Sequence, residues 1–347
     1  MTSFGQSAKW ENVKLSLNYQ RGFSLPEYSV TNYISTHPIQ SCSFHISKET
    51  TGKNQWEKLY QFPEYGLSAF YTTLGNDNVM GRAFSLNYFF RVNFINKKRF
   101  QVYNQTGMGL GYLTKHFDLT ENYENVAIGS HVNAHFNLRF GCNVKLTKKI
   151  DTQMGLSLDH FSNANSHDPN LGINLLTAFA GVTYRLHPEN EKETSPLEKH
   201  QRKTNFEIVQ SFGGKQTRAL SGQFFFTSSL SGGINFEWFR GFNGGIGADI
   251  FYDNSMKTLV ESKNKTFHTS DNFQTGIHIS QEFVYNHFSV ILQEGVYVGL
   301  VNKGLGKTMY NRGIVQYRFT DHLLIRVAMK SHLHILDFPE IGLGVKW

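Results

Sequence analysis

Apolar and polar residues alternate along most of the chain with a period of two, and capped segments with the helical period are not evident. This alternation predicts β-strands that have one apolar and one polar face. The pattern predicts strands in the first half near residues 12–21, 38–47, 65–75, 82–95, 98–113, 129–146, 149–162 and 172–186. It predicts further strands near 204–214, 220–239, 242–253, 274–286, 288–301, 307–319, 322–333 and 338–347.

The connections between these predicted strands alternate in length. Residues 95–98 form a tight polar turn, whereas 22–37, 114–128 and 163–171 are longer loops. Short turns at one rim and long loops at the other are typical of outer-membrane β-barrels. The connection 48–64 breaks this rule, because it should be a short turn and is long.

The predicted fold class is therefore all-β, an antiparallel outer-membrane β-barrel architecture. The strands could close as two barrels of about eight strands or as one barrel of about 14–16. Residues 187–203 are strongly charged and poor in apolar residues, which indicates a polar linker. The predicted domains are a first barrel region at 1–186 and a second at 204–347.

The two halves resemble each other weakly. The first ends on Gly-Val-Thr-Tyr-Arg-Leu at 181–186 and the second on Gly-Leu-Gly-Val-Lys-Trp at 342–347. A predicted strand with a histidine near its end precedes each of these segments, with His160 in the first half and His332 in the second. The second region could thus be a degenerate duplicate of the first.

Composition and charge narrow the class of protein. The chain has 30 Phe, 16 Tyr and only 7 Pro, which suits strands flanked by aromatic girdles. No apolar run approaches the roughly 20 residues of a spanning helix, which excludes a helical membrane protein. The net charge of +7 is scattered along the chain, so we expect no nucleic-acid partner. A glycolipid surface that bears phosphate groups is a partner that fits this positive charge.

Neither the cysteines nor the first residues suggest other chemistry. Cys42 and Cys142 each lie in a strand-like segment, which leaves a single disulfide open but gives little support to a metal site or a cofactor. Residues 1–7 have neither the basic start nor the apolar core of a signal peptide. An outer-membrane barrel with this start would be a mature form whose leader was removed or replaced.

Candidate catalytic side chains gather at the end of the predicted strand 149–162. With a period of two, His160 and Ser162 continue the apolar, lipid-facing row of that strand. Asn174 lies at the loop end of the apolar row on the next predicted strand, so antiparallel pairing brings the three residues together. Serine, histidine and asparagine can act as nucleophile, base and imidazole partner. On spacing alone, an inert group of interfacial residues is the favoured interpretation.

A family resemblance changes that balance. The sequence resembles the lipid A 3-O-deacylases (PagL-type acyloxyacyl hydrolases), and their longer two-part relatives in particular. The resemblance covers about residues 10–186, whereas the second half shares only a general barrel character. It rests on His-Phe-Ser-Asn-Ala at 160–164, Pro-Asn-Leu-Gly-Ile-Asn at 169–174, and the segments 56–68, 107–112 and 125–130. The segment 56–68 would also explain the long connection 48–64.

The resemblance implies a serine esterase of the bacterial outer membrane that hydrolyses an ester-linked 3-hydroxyacyl chain of lipid A. Its partners would be lipopolysaccharide as substrate and the surrounding membrane lipids, and the sequence carries no sign of an oligomeric state. The family implies Ser162 as nucleophile and His160 as general base. It also implies an oxyanion hole made by the side chain of Asn163 and the backbone N–H of Asn165.

Asn174 departs from the family pattern. The best-studied relatives have a glutamate at this position, fourteen residues after the histidine. Asparagine can hold the imidazole tautomer but offers no negative charge to the imidazolium, so slower turnover is expected. His167 and Asp168 lie in the same loop and are candidates to supply the missing charge.

Two other function classes stay open at this stage. The chain could be a non-catalytic outer-membrane barrel, either a channel or a structural protein, whose site has decayed. It could also be a phospholipase that acts on glycerophospholipids.

Overall fold

We describe a computed structural model of the chain. It describes residues 11–25, 33–188, 192–197, 199, 201–216, 223–300, 307–332 and 335–347. The strand limits predicted at 220–222, 301 and 333, and parts of the predicted loop 22–37 and linker 187–203, lie outside these ranges.

Eight antiparallel strands form the first barrel, each hydrogen-bonded to the next in sequence, and the last strand returns to pair with the first. Helix α1, Gln55–Leu59, lies in the long connection between the second and third strands. The strands are β1 Val13–Ser24, β2 Ile39–Glu49, β3 Glu64–Thr73, β4 Arg82–Asn96, β5 Phe100–Leu113, β6 Val132–Lys145, β7 Ile150–Ser162 and β8 Ile173–Arg185.

A second set of eight antiparallel strands forms the second barrel, which closes on itself in the same way. Helix α2, Met256–Glu261, and a 3-10 helix, Thr269–Asn272, lie in the connection after its third strand. The strands are β9 Thr204–Gln216, β10 Phe224–Phe239, β11 Phe242–Asp253, β12 Phe273–Tyr285, β13 Phe288–Tyr297, β14 Met309–Arg318, β15 Leu323–His332 and β16 Ile335–Lys346.

The barrel architecture predicted from the alternation is confirmed, and the choice between one barrel and two is settled by two closing pairs of strands. In the first barrel Lys14 of β1 lies opposite Arg185 of β8. In the second, Glu207 of β9 lies opposite Lys346 of β16. The alternative of a single barrel of about 14–16 strands is wrong, because each set of eight satisfies its own strand edges.

The chain divides into two compact units, Met1–Asn163 with Pro169–Glu198, and Ala164–Asp168 with Lys199–Trp347. The boundary at 198 and 199 falls within the predicted linker 187–203. Part of that linker contacts the long connection 48–64, since the Glu193 N–H donates to the Thr51 carbonyl at 2.8 Å. These contacts give the connection 48–64 a structural role in the first unit.

The strands place apolar side chains outward and polar side chains inward. On β7, Leu156 is 56 % exposed, whereas Asp159 is fully buried. Inside the first barrel, Arg139 donates to Ser43 at 3.1 Å and lies 3.2 Å from a ring nitrogen of His45. An eight-stranded barrel is just wide enough for its side chains to fill it. The described interior is accordingly a packed polar core.

An apolar cluster lies at the long-loop end of the first barrel. Phe161 of β7 and Ile173 of β8 belong to it and are at most 3 % exposed. Because neighbouring residues of a strand point to opposite faces, burial of Phe161 and Ile173 directs His160, Ser162 and Asn174 outward. The cluster consists of Ile34, Ile39, Phe70, Leu74, Val79, Met80, Ala83, Leu113, Ala127, Ile128, Phe161, Ile173 and Leu175.

Cys42 and Cys142 are both free thiols, which answers the question of a disulfide between them. Among the described residues, no helix is long and apolar enough to cross a membrane.

Candidate active site

His160 and Asn174 lie directly opposite each other on β7 and β8. The distance between His160 Nδ1 and Asn174 Oδ1 is 2.6 Å, so the amide oxygen accepts a hydrogen bond from the ring. With the ring proton on Nδ1, the lone pair of Nε2 is available to act as a base. The antiparallel pairing of the two strands thus brings His160 and Asn174 together.

Ser162 follows His160 on the same outward row of β7, and only 7 % of it is exposed. Its hydroxyl interacts with the side-chain amide of Asn170, with Oγ–Oδ1 at 3.2 Å and Nδ2–Oγ at 3.1 Å. The same Oδ1 accepts the backbone N–H of Asn163 at 3.0 Å. Asn170 therefore holds both the serine side chain and the backbone that follows it. Sequence reasoning gave Asn170 no role, although it lies inside the motif 169–174.

The loop motif 125–130 supports Asn170. Ile128 forms an isolated β-bridge with Asn170, and the Gly172 N–H donates to the Ala127 carbonyl at 3.1 Å. Ile128 also accepts the Phe117 N–H at 2.8 Å, which ties the bridge to the preceding loop. The sequence motif thus has a physical reason, because its backbone carries the segment that contacts Ser162.

Gly172 lies against the imidazole of His160. Its φ is +77°, in the left-handed region, and a Cβ atom at this position would be 2.9 Å from His160 Cε1. Both the backbone conformation and the lack of space favour glycine. The close approach of the backbone limits how far the His160 ring can turn.

The predicted oxyanion-hole residues lie where β7 ends. Asn163 is 5 % exposed, and Ala164 and Asn165 both have positive φ, +55° and +60°. The backbone N–H of Asn163 already donates to Asn170 Oδ1. The side-chain amide is therefore the group of Asn163 that could donate to an oxyanion. Asn165 belongs to the segment 164–168, which groups with the second unit, and its part in the site stays a prediction.

His167 and Asp168 were candidates to replace the missing glutamate charge. Nδ1 of His167 lies 3.1 Å from the hydroxyl of Ser166. Partial burial raises the pKa of Asp168. The role of Asp168 as a charge beside His160 stays a prediction.

A second serine, histidine and aspartate lie in the lumen of the first barrel. Ser85 Oγ is 2.6 Å from His135 Nδ1, and His135 Nε2 is 3.0 Å from Asp159 Oδ1. His135 also stacks on Phe161, with ring centroids 4.1 Å apart. His135 and Asp159 are fully buried, so this group belongs to the polar core and supports β7 from inside. Sequence reasoning missed it, because its members are distant in the chain.

Two family descriptions match the chain. Lipid A 3-O-deacylase (PagL) matches residues 43–183, and the C-terminal domain of acyloxyacyl hydrolase matches residues 204–347. The chain belongs to the lipid A 3-O-deacylase family. This deacylase-family protein is therefore a barrel protein of the bacterial outer membrane. The second match extends the family to the half in which the sequence indicated only a general barrel character.

Solved structures similar to this deacylase-family protein are outer-membrane proteins. Neisserial surface protein A is 10 % identical to this chain, and the match covers 51 % of this chain and 98 % of the neisserial protein, with a TM-score of 0.34. The outer membrane enzyme PagL is 15 % identical, and the match covers 48 % of this chain and 97 % of PagL, with a TM-score of 0.32. No curated protein sequence matches the chain.

Proposed function

We propose that this chain hydrolyses the ester-linked 3-hydroxyacyl chain of lipid A, with Ser162 as nucleophile and His160 as general base. The observation that carries the proposal is the 2.6 Å contact between His160 Nδ1 and Asn174 Oδ1 on the outward wall. That contact fixes the tautomer in which Nε2 can accept a proton. Ser162 lies two residues further along the same row.

The reaction follows from these roles. Nε2 of His160 takes the proton of the Ser162 hydroxyl while Oγ attacks the ester carbonyl carbon. The tetrahedral oxyanion collapses, the bond to the sugar oxygen breaks, and the imidazolium gives its proton to that oxygen. Water, deprotonated by His160, then attacks the acyl carbonyl carbon. The bond to Ser162 Oγ breaks, that oxygen takes the proton back from the imidazolium, and the free 3-hydroxy fatty acid leaves. The side-chain amide of Asn163 is the candidate donor to the oxyanion in both halves of the reaction.

The direction of the side chains supports a lipid substrate. His160 and Ser162 continue a row whose earlier members, Leu156 and Leu158, are exposed on the outer wall. An acyl chain that lies in the membrane can run along this row and bring its ester to the end of β7. Access through the lumen is not open in the described barrel, because the side chains of its interior fill it.

A channel with a decayed site is the competing function, and the packed interior counts against it. Arg139 is 2 % exposed in the middle of the first barrel. In the second barrel, Arg312 is equally buried and bonds with Asp249. A water-filled pore needs a wider barrel than eight strands provide.

Mass spectrometry of lipid A tests the proposed function. Cells that express the wild type are expected to lose the mass of one 3-hydroxyacyl chain from lipid A, and cells that express Ser162→Ala are not. The matched control is Ser228→Ala, because Ser228 lies in the second barrel and hydrogen-bonds Gln210 at 2.8 Å. Identical spectra for wild type and Ser162→Ala would reject the esterase. Release of fatty acid from phospholipid rather than lipid A would instead support a phospholipase.

Asn170→Ala is expected to lower kcat/KM for lipid A by about tenfold, because each lost neutral hydrogen bond costs about 1 kcal/mol. The variant loses the contacts that hold the Ser162 hydroxyl and the Asn163 N–H. Steady-state release of 3-hydroxy fatty acid by the purified protein measures the effect. Asn104→Ala, on β5, is the matched control and should leave kcat/KM unchanged. Equal rates for Asn170→Ala and the wild type would refute the positioning role.

A further inference from the structure

Few charged side chains lie on the outward rows of the first barrel. In its described strands they are Arg21, Lys48 and Arg82. Lys48 lies opposite Val13, at the short-turn end of β1 and β2. Arg82 lies at the long-loop end, where Asp77 already pairs with it at 2.8 Å. Arg21 is exposed on the long-loop side, and an ionisable group on a lipid-facing wall calls for a partner.

Arg21 lies near the long-loop end of β1. It is opposite Gln40, the second residue of β2 at the long-loop end. Tyr19, on the same outward row, donates to Gln40 Oε1 at 3.4 Å. The outward side chains on both sides of this group are apolar, with Leu17 58 %, Phe44 42 % and Phe23 55 % exposed. Arg21, Tyr19 and Gln40 therefore form a polar patch near the long-loop end of a largely apolar wall.

The patch lies on the same wall as the candidate active site. β1 pairs with β8, and the Leu25 N–H donates to the Asn174 carbonyl at 2.8 Å. Arg21 of β1 lies opposite Ala178 of β8, which is four residues from Asn174. Asn174 in turn lies opposite His160 of β7, so β1 is two strands away from β7. Strand geometry then gives about 10 Å across the strands and about 13 Å along them, so Arg21 lies roughly 16 Å from His160. The disaccharide of the headgroup and the long side chain of Arg21 together can bridge that separation.

We propose that Arg21 binds a phosphate group of the lipid A headgroup while the scissile ester lies at Ser162, and so contributes to substrate specificity. This inference rests on the proposed function. A guanidinium offers paired N–H donors that match a phosphate, and the contact is stronger where water is scarce. Arg82 does not have this role, because Asp77 neutralises it. Arg82 is therefore the matched control.

Kinetics on two substrates test the proposal. The purified wild type, Arg21→Gln, Arg21→Lys and Arg82→Gln are compared on bisphosphorylated lipid A and on enzymatically dephosphorylated lipid A in the same detergent. Arg21→Gln is expected to raise KM about tenfold on the phosphorylated substrate with kcat nearly unchanged, since it removes binding common to ground and transition states. Arg21→Lys should recover part of the loss, and Arg82→Gln should behave as the wild type. On dephosphorylated lipid A the variants should be equal.

Several results would overturn the role of Arg21. Equal losses on the two substrates would mean that the substitution harms the barrel or the active site instead. No loss on either substrate, or the same loss for Arg82→Gln, would exclude a specific phosphate contact.

A binding measurement separates this proposal from the proposed function. Ser162→Ala and the double variant Arg21→Gln/Ser162→Ala are titrated with phosphorylated and dephosphorylated lipid A. Tighter binding of the phosphorylated form that depends on Arg21 supports the phosphate contact even if the wild type proves inactive. Equal binding of the two forms by Ser162→Ala rejects it even if the wild type is an active esterase.

Discussion

Replacing His160 with alanine is expected to lower kcat for release of the 3-hydroxyacyl chain by about 10³–10⁴-fold, and adding Ser162→Ala should lower it no further. Without the imidazole, no group takes the serine proton as the bond to the carbonyl forms. Without the serine, the imidazole has no nucleophile to activate. Residues that act as one unit lose nearly all of their effect when either is removed.

Single-turnover and steady-state rates on purified protein check this expectation, with His160→Ala, Ser162→Ala and the double variant compared to the wild type. His287→Ala is the matched control, because this histidine is exposed in a turn of the second barrel. Retention of the folded barrel is verified by the shift in electrophoretic mobility on heating. Losses that multiply in the double variant would show that the two residues act independently, and the proposed dyad would be abandoned.

The second large effect is expected at Asn174. Asn174→Leu removes the acceptor of the His160 Nδ1 hydrogen bond and should lower kcat by about 10²-fold, because the base loses its fixed tautomer. Asn174→Glu keeps an acceptor and adds a negative charge beside the imidazolium. We expect it to turn over at least as fast as the wild type.

The pH dependence of Asn174→Glu has a definite sign. A carboxylate beside His160 favours the protonated form of the ring, whereas the general base must be neutral to act. The acid limb of kcat/KM should therefore move to higher pH in Asn174→Glu than in the wild type. A limb that stays in place, together with full activity of Asn174→Leu, would show that Asn174 does not position the base.

The period-two pattern predicted the strands well, because each strand has one face toward lipid and one toward the barrel interior. That arrangement directly produces the alternation of apolar and polar residues. Closure is a different property. The pairing of β1 with β8 joins residues that are far apart in sequence, and a local pattern carries no information about it. Helix α1 was missed as well, because one turn of helix in a docked connection is set by its contacts rather than by a helical period.

The site was partly predictable for the same reason. His160 and Asn174 lie on regular strands, so counting residues across an antiparallel pair was sufficient to bring them together. Asn170 reaches Ser162 from an irregular loop, whose path depends on the left-handed Gly172 and on the bridge to Ile128. No periodicity describes such a loop.

The weak echo between the halves does not extend to side-chain direction. His160 points outward, whereas His332 contacts the inward-facing Tyr297, whose hydroxyl is 2.9 Å from His332 Nε2. Lys307 Nζ lies 3.0 Å from the other ring nitrogen. The β15–β16 pair also shifts register next to Lys330. That the second region is a degenerate duplicate stays a prediction.

Two separate closures also bear on how the chain reaches its folded state. In a single sixteen-stranded barrel, β1 would have to pair with β16, and the outer edges of these two strands would stay unpaired until nearly the whole chain was in place. Here the longest-range pairing of the first barrel is between β1 and β8, and that of the second between β9 and β16. Shorter separations lower the entropic cost of the last pairing and speed folding. The first barrel can thus pair all of its strand edges before the second barrel has formed.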